Sequence, residues 1–359
     1  MTLASLSSSI IAPAPSITAP APKLRHARIA RTASREAKET SLTVINSVLG
    51  PCDTADLGFT LVHEHLLIGW AGWQWDNQFK FDRKAELAKA VDMLQELKGL
   101  GVGTFVDPCP MDIGRDPEFM AEASDRSGMR IIGSTGLYHH EMGIPAYYQG
   151  LSEGQLAEIF IADLTTGMAH TTIKAGIIKT ATIAGKVTDQ EAKVHAAAAS
   201  ASVATGAPII THTDENGPMG LAQLDIFESR GASANRVAIG HSCGNGNLRY
   251  LLDVVHRGAW LSFDRFGFGI SASDDLRVAS LMGLIGAGHA DRVMVSHDSV
   301  STILGRGFVR TPEIEEVLKN WKPTHIIKNI IPRLKEAGVS QATIDTITID
   351  NPRRYFEGS

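Results

Sequence analysis

The sequence predicts an α/β fold, a (β/α)₈ TIM barrel that follows a disordered N-terminal extension. From Leu42 onward, short β-branched and apolar runs alternate with longer segments rich in Ala, Leu, Glu and Lys. Strands that alternate with helices pair in parallel through right-handed crossovers. Eight such units favour a closed barrel over an open sheet. The predicted strands are Thr60–His65, Thr104–Pro108, Arg130–Thr135, Ala175–Thr180, Pro208–Thr213, Val237–His241, Trp260–Asp264 and Arg292–His297.

The segments between these strands have the apolar spacing of amphipathic helices. Apolar residues recur at intervals of three or four, as in Leu87, Val91, Leu94 and Leu97. Residues 321–359 show similar spacing, and we expect them to lie beneath or across the last unit. The predicted helices are Lys84–Leu100, Pro117–Ser127, Glu153–His170, Asp189–Thr205, Gly220–Arg230, Asn247–Arg257 and Asp274–Ile285.

Residues 1–40 differ in composition from the rest of the chain and are not expected to join the fold. They are rich in Ser, Ala, Pro and Thr, and the first acidic residue is Glu36. A basic, acid-poor pattern of this kind is typical of a disordered tail or of an organelle transit peptide. We therefore predict a folded domain over 41–359 in a cytoplasmic protein, or an organellar one if the first segment is a transit peptide.

Composition excludes several classes of protein. The net charge of −5 argues against a nucleic-acid partner. No apolar run reaches the ~18 residues that a membrane-spanning helix requires, so no membrane partner is expected. Three cysteines, Cys52, Cys109 and Cys243, have no paired spacing and favour a reducing compartment.

Polar side chains that can bind metal occur at the carboxyl ends of five predicted strands, where the reactive groups of such barrels collect. His63 and His65 project from the same face of the first strand, and Glu64 points to the other face. The remaining candidates are Lys179, His212, His241 and Asp298. Imidazole and carboxylate suit Zn²⁺, Co²⁺ or Mn²⁺. A lysine fits this set only if it loses its charge, points away or becomes a carbamate. Taken singly, Lys179 suits a barrel lysine whose amine reaches solvent, and each histidine suits a structural role better than a ligand's.

The combined motifs resemble those of the phosphotriesterase family of the amidohydrolase superfamily, over about Leu42 to Phe356. The resemblance rests on Val62-His63-Glu64-His65, Ile178-Lys179, Thr211-His212-Thr213, Gly240-His241 and Ser296-His297-Asp298. Further stretches resemble the phosphotriesterase-like lactonase branch of the family: Gly240-His241-Ser242-Cys243-Gly244-Asn245, Asp264-Arg265-Phe266-Gly267 and Asn329-Ile330-Ile331-Pro332.

The resemblance implies a binuclear metal centre. His63, His65 and Asp298 would hold the more buried ion, and His212 and His241 the exposed one. Carboxylated Lys179 would bridge both, with zinc the leading candidate and cobalt, manganese or iron as alternatives. Tyr138 and Arg265 match positions that border the substrate, and Asp298 would also relay a proton. The family also inclines towards homodimers.

The expected reaction is hydrolytic ring opening of a lactone by a hydroxide held between the ions. An apolar channel predicted from Phe268, Gly269, Ile270 and Ser299–Phe308 favours N-acyl-homoserine lactones, and hence quorum quenching, with γ- and δ-lactones next. Weak hydrolysis of organophosphate triesters is an expected side activity. The alternatives are a phosphotriesterase or carboxylesterase as the main activity, and a catalytically idle barrel.

Several residues in the loops around the predicted site have other possible roles. Trp70, Trp73 and Trp75 in the first loop suit a lid, a dimer contact or an apolar plug. Arg265 could instead form a surface ion pair with Asp264 or Asp275, and His139 and His140 are expected to be loop residues rather than ligands. Cys243 has a minor chance of contact with metal or substrate, whereas Cys109 is expected to be a packed thiol.

Overall fold

The computed structural model describes residues 43–183, 185–307 and 310–359, so the predicted N-terminal extension over 1–40 lies outside the described residues. Eight parallel strands form one sheet in the order β3-β5-β6-β7-β8-β9-β10-β11, and all eight predicted strands are confirmed. In chain order the strands are β1 Val44–Ser47, β2 Gly50–Asp53, β3 Phe59–Leu61, β4 His65–Gly69, β5 Val102–Asp107, β6 Arg130–Gly136, β7 Ile177–Thr182, β8 Ile209–Thr213, β9 Val237–Ile239, β10 Trp260–Phe263, β11 Val293–Val295 and β12 Val300–Leu304.

The first and last strands of the sheet are joined just beyond their carboxyl ends. The Asp298 N–H donates to the His63 carbonyl oxygen at 2.9 Å, and the His65 N–H donates to the Ser299 carbonyl oxygen at 2.8 Å. Strands β4 and β12, which continue the chain from these residues, then pair in parallel. These hydrogen bonds close the barrel and place two of the predicted ligand-bearing segments side by side.

Helices cover the outside of the sheet, and each of the seven predicted helices is confirmed. The predicted stretch Glu153–His170 was too long, because that helix ends at Thr165 and the chain then doubles back. A Cβ atom at Gly167 would lie 2.0 Å from the Thr171 carbonyl oxygen. The α-helices are α1 Arg83–Gly99, α2 Pro117–Ser127, α3 Ala146–Gln149, α4 Glu153–Thr165, α5 Asp189–Thr205, α6 Gly220–Ser229, α7 Leu248–His256, α8 Asp274–Gly286, α9 Pro312–Val317, α10 Ile331–Glu336, α11 Gln341–Asp345 and α12 Asn351–Glu357, and π-helical turns span Ile326–Ile330 and Thr346–Asp350.

The amino end of the barrel is covered by both ends of the described chain. The antiparallel hairpin β1–β2 is anchored by Asn46, whose side-chain amide donates to the Leu164 and Ala175 carbonyl oxygens. From the C-terminal segment, the Asn351 amide donates to the Val293 carbonyl oxygen at 2.7 Å. The expected position of the C-terminal residues across the last unit is thereby confirmed, whereas the hairpin was not predicted.

One apolar layer fills the amino half of the barrel interior. Each of the eight barrel strands, or the residue directly after it, contributes one side chain to a single buried cluster. Because alternate residues of a strand face the same side, Lys179 and His212, two positions beyond Ile177 and Ile210, also face inward, nearer the carboxyl end. The layer consists of Val62, Val106, Ile132, Ile177, Ile210, Ala238, Trp260 and Met294.

Candidate metal centre and active site

All six predicted ligands meet at the carboxyl end of the barrel. The Lys179 Nζ lies 3.0 Å from the His63 Nε2. The Asp298 Oδ1 lies 3.4 Å from the His63 Nε2 and 3.2 Å from the His65 Nε2. The His241 Nε2 lies 2.8 Å from the His212 Nδ1 and 3.8 Å from the Asp298 Oδ2. These side chains line one cavity of about 300 Å³.

Local backbone geometry turns two of these side chains inward. His241 and Asp298 follow β9 and β11 with φ values of 56° and 53°, in the left-handed region that residues with a Cβ atom rarely occupy. Lys179 and His212 need no such turn, because they stand two residues beyond the inward-facing Ile177 and Ile210 of their strands. Strand alternation and two strained strand ends therefore direct the ligands to the same point.

Two buried carboxylates orient the rings. Asp264 accepts from the His63 Nδ1 at 2.7 Å and from the His241 Nδ1 at 2.9 Å. Burial alone would raise the pKa of Asp264, but His241 and His63 hold it well below its usual value. Asp107 binds the His65 Nδ1 at 3.1 Å. Partners of this kind fix the tautomer and orientation of a metal-binding histidine.

The arrangement of donors fits a bound cation. A carboxylate partner on Nδ1 leaves the Nε2 lone pair of a neutral ring free to bind metal, and the Nε2 atoms of His63, His65 and His241 all face Asp298. Burial lowers the pKa of His63 to about 3 and also lowers that of His241, which favours the neutral rings. For His65, burial acts in the same direction, but hydrogen bonds with Asp107 and Asp298 outweigh it and raise its pKa. The atoms of His63, His65 and Asp298 are close enough to share one ion.

Lys179 is buried, with 1% of its surface exposed, so the alternative of a lysine that reaches solvent is wrong. Burial lowers the pKa of its amine to about 8. A larger share of the amine is then neutral near neutral pH than for an exposed lysine, and the neutral amine is the form that reacts with carbon dioxide.

Tyr138 and Arg265, the two residues predicted to border the substrate, line the cavity. The Tyr138 hydroxyl lies 3.0 Å from the His212 Nδ1, and burial raises its pKa. Arg265 donates from Nε to the Asp298 Oδ2 at 2.9 Å. The alternative of a surface ion pair is wrong, because Asp264 binds two histidine rings and Asp275 pairs with Arg333.

A buried ion-pair network that was not predicted lies behind Arg265. Glu215 is 3.5 Å from the Arg265 Nη1 and 2.6 Å from the Arg277 Nη1. Arg277, which is fully buried, also donates to the Cys243 Sγ and to the Phe268 carbonyl oxygen. Cys243 therefore packs against this arginine and does not line the cavity. The sequence gives no signal for Arg277, because an arginine on an amphipathic helix is ordinarily solvent-exposed.

The remaining walls of the cavity are mostly apolar: Ile68, Trp70, Ile113, Met142, Phe268, Val300, Ile303 and Trp321. The Phe268 and Trp321 rings pack edge to face with their centres 5.1 Å apart, and the Arg265 guanidinium lies 5.2 Å from the centre of the Phe268 ring. The predicted wall residue Ile270 is 58% exposed and does not line the cavity, and Phe308 lies outside the described residues. His139 lines the cavity, whereas His140 pairs with Glu191.

The three tryptophans of the first loop, Trp70, Trp73 and Trp75, have different surroundings and do not share one role. Trp70 lines the cavity and packs against Tyr138 with ring centres 6.3 Å apart. Trp73 packs against Phe79 and Phe81, as an apolar plug would. Trp75 is 88% exposed.

Cys109 is a packed thiol, as expected, and donates to the Ile113 carbonyl oxygen.

Comparisons with known proteins agree with this geometry. The model of the phosphotriesterase family matches residues 43–356. A phosphotriesterase homology protein of Mycobacterium tuberculosis is 35% identical over 87% of this chain and 97% of its own length. An aryldialkylphosphatase of Saccharolobus solfataricus is 33% identical over 85% of this chain and 96% of its own length.

Solved structures give the same result. The organophosphorus hydrolase of Deinococcus radiodurans superposes with a TM-score of 0.85 at 35% identity, over 89% of this chain and 98% of that one. A mutant of the phosphotriesterase-like lactonase from the same organism superposes with a TM-score of 0.84 at 34% identity, over 87% of this chain and 99% of that one. The chain belongs to the phosphotriesterase family and is a hydrolase.

Proposed function

We propose that this hydrolase is a binuclear metal lactonase whose leading substrates are N-acyl-homoserine lactones, followed by simple γ- and δ-lactones. The observation that carries the proposal is the convergence of four imidazoles, Asp298 and Lys179 on a single cavity whose outer walls are apolar. A polar floor suits a lactone carbonyl, and apolar walls suit an acyl chain. The similarity to a phosphotriesterase-like lactonase supports the same assignment.

The residues divide into two ligand groups. His63, His65 and Asp298 would hold one divalent ion, His212 and His241 would hold the other, and carboxylated Lys179 would bind both. Nitrogen and oxygen donors of this kind suit zinc best, with cobalt, manganese or iron as alternatives. When bound, two such ions polarise a carbonyl oxygen and make water available as a nucleophile near neutral pH.

The side chains around the ligands handle charge and protons during ring opening. Tyr138, whose raised pKa keeps it protonated, is placed to donate to the carbonyl oxygen as negative charge develops there. Burial raises the pKa of Asp298, but His63, His241 and Arg265 outweigh that effect and keep it ionised. Asp298 takes the proton of the attacking water and passes it to the leaving alkoxide. Water adds to the carbonyl carbon, the ring C–O bond breaks, and the product is a hydroxy acid.

The competing enzymatic assignment keeps the same site but makes phosphotriesters or carboxylic esters the main substrates. It is favoured by the relative named an aryldialkylphosphatase. The two assignments separate in the ratio of kcat/KM for an N-acyl-homoserine lactone to that for a paraoxon-like triester. We expect the lactone to be the better substrate; a higher value for the triester would favour the alternative.

Metal analysis and one variant test the site itself. We expect close to two ions per purified chain, and loss of hydrolysis in Asp298→Ala. A chain that is fully active without metal would contradict the proposal. A chain that holds two ions and hydrolyses no member of a lactone and ester panel would instead indicate an idle barrel that serves as a scaffold.

We also propose that the protein is a homodimer that uses the face carrying Trp75 and Tyr147. Trp75 is 88% and Tyr147 70% exposed, and a groove of about 1000 Å³ beside them is lined by Trp73, Pro145 and Tyr148. Exposed Trp and Tyr side chains are common in protein contacts, and the groove beside them also carries the charged residues Arg115, Asp116 and Glu118. Sedimentation equilibrium should give twice the chain mass for the wild type and the chain mass for Trp75→Glu; a wild-type monomer would contradict the assignment.

The proposed domain organisation is a hydrolase domain over 41–359 preceded by a tail, in a cytoplasmic protein without a nucleic-acid partner. Among the described residues, no helix is both long and apolar enough to cross a bilayer. Imaging fluorescent fusions with and without residues 1–40 tests the location. We expect both fusions to be cytoplasmic, and an organellar signal that requires residues 1–40 would identify a transit peptide.

A further inference from the structure

Glu64 stands between the first two predicted ligands, but its side chain points away from them into a closed polar pocket. The residue is fully buried. Its Oε1 accepts from the Ser296 hydroxyl at 2.7 Å, from the His297 peptide N–H at 2.9 Å and from the His297 Nδ1 at 2.5 Å. Its Oε2 accepts from the Ser299 peptide N–H at 3.0 Å and from the Ser299 hydroxyl at 2.5 Å. Five donors from one short segment therefore surround a single carboxylate.

The residue enclosed by these contacts is Asp298. The peptide N–H groups of the residues on either side of it, His297 and Ser299, each bind one oxygen of Glu64. Asp298 itself has a φ of 53°, a conformation that a residue with a Cβ atom rarely adopts without support. Its own N–H donates to the His63 carbonyl oxygen. The carboxylate of Glu64 thus spans the tight turn that directs Asp298 towards the rings.

His297 holds Glu64 from the opposite side. The Ile326 peptide N–H donates to the His297 Nε2 at 2.9 Å, so this nitrogen is the acceptor of the ring. The Nδ1 of His297 consequently carries the proton and donates it to the Glu64 Oε1. The direction of every hydrogen bond around Glu64 is therefore fixed, and each of them requires an acceptor at this position.

We propose that Glu64 is a positioning residue for the metal centre: it locks the strained turn at Asp298, so that the Asp298 carboxylate is presented to the same ion as His63 and His65. This inference rests on the proposed role of Asp298 as a ligand. Glu64, the middle residue of the His63-Glu64-His65 motif, points to the face of the strand opposite to the two histidines. It then contributes to the site from that face, by holding Asp298.

The variant Glu64→Gln tests the proposal because it keeps the shape of the side chain. One carboxylate oxygen becomes an NH₂ group, which would face a donor of either His297 or Ser299. We expect the chelator-treated full-length protein, titrated with Zn²⁺ by calorimetry, to bind one of its two ions about 10–100-fold more weakly than the wild type, and the other ion unchanged.

Glu191→Gln is the matched control. Glu191 is a buried carboxylate that also accepts from a peptide N–H and a histidine ring, and it contacts none of the predicted ligands. It should lose thermal stability without loss of Zn²⁺ affinity. Ser299→Ala provides a milder second variant, which removes one hydroxyl donor and keeps the peptide N–H; it should weaken the same ion roughly twofold to tenfold. This variant decides the outcome if Glu64→Gln does not fold.

Unchanged Zn²⁺ affinity for both ions in Glu64→Gln would overturn the inference and leave Glu64 with a structural role only. A loss of Zn²⁺ affinity no larger than that of Glu191→Gln would overturn it as well. If Glu64→Gln does not fold, unchanged affinity in Ser299→Ala would overturn it. A wild-type protein that binds no Zn²⁺ would overturn the proposed function, and the inference with it. The wild-type titration therefore separates the two failures.

Discussion

Two layers of side chains inside the barrel lie two residues apart along β7 and β8 and differ completely in chemistry. In the lower layer, Ile177 and Ile210 pack in a cluster to which all eight strands contribute. In the upper layer, Lys179 and His212 occupy the next inward-facing positions of the same strands. An apolar layer needs only volume and close packing. The polar layer needs a partner for nearly every buried group, and that is why it extends outward to Asp107, Asp264 and Glu64.

The largest expected effect comes from removing the lysine of the upper layer. Lys179→Ala should abolish tight metal binding and lower kcat/KM by at least about a hundredfold. The unfolding temperature of the metal-free protein should not fall, because a buried amine is costly to desolvate. Bicarbonate or a short carboxylate added to the variant should restore part of the metal content and activity, since either supplies the missing oxygen ligand. Lys186→Ala, at an exposed lysine after the same strand, is the control and should keep the metal content and activity of the wild type. Failure of bicarbonate and of every carboxylate to restore activity to Lys179→Ala would count against the carbamate.

A matched change in the lower, apolar layer should reduce stability and leave metal binding unchanged, the opposite of the result expected for Lys179→Ala. Ile210→Ala should lower the free energy of unfolding by about 2–5 kcal/mol, and Ile210→Val by about 0.5–1.5 kcal/mol, because each leaves a cavity in a close-packed cluster. Urea unfolding measures both values. Metal content at 25 °C should stay at the wild-type level. Loss of metal in Ile210→Val would show that the two layers are not separable.

The network behind the upper layer should influence substrate binding more than metal binding. Arg277→Lys keeps a positive charge near Glu215 but cannot also donate to the Phe268 carbonyl oxygen, so the wall formed by Phe268 should loosen. We expect KM for a long-chain lactone to rise about tenfold with metal content unchanged. Arg333→Lys, in an exposed ion pair with Asp275, is the control. An unchanged KM would remove Arg277 from any role in the substrate pocket.

The smallest expected effect is a change with pH in the stability contributed by Asp112, a buried carboxylate that, unlike Asp264, is not bound by histidine rings. Asp112 accepts the peptide N–H of Tyr138, and burial raises its pKa from 3.8 to about 7. A raised carboxyl pKa favours folding at low pH, and this contribution is lost as pH rises from about 4 through 7. Asp112→Asn should therefore gain unfolding temperature relative to the wild type across this window and then level off. A difference that does not change with pH would contradict the assigned pKa.

The strands and the convergence of the candidate ligands on one cavity were predictable from sequence because both follow local rules. Strand periodicity fixed the eight barrel strands, and the rule that reactive groups collect at strand ends identified Lys179, His212 and Asp298. The pairing of β4 with β12 was not predictable, because two short runs that lie 235 positions apart in the sequence, as His65 and Val300 do, carry no mutual signal.

The partners of the ligands were harder to predict. Asp107 and Asp264 stand at strand ends, so a search for strand-end acids would have found them, although not the rings they bind. Strand alternation gave the correct direction for Glu64, but the five donors that meet it come from residues more than 230 positions away. For Arg277 the local pattern indicated an exposed helix position, and long-range packing decided otherwise.

Anomalous scattering from zinc-loaded crystals would locate the metal ions themselves. We expect two zinc peaks per chain, one bound by His63, His65 and Asp298 and the other by His212 and His241, with additional density beyond the Nζ of Lys179 contacting both. A single peak, or peaks bound elsewhere in the barrel, would contradict the proposed metal centre.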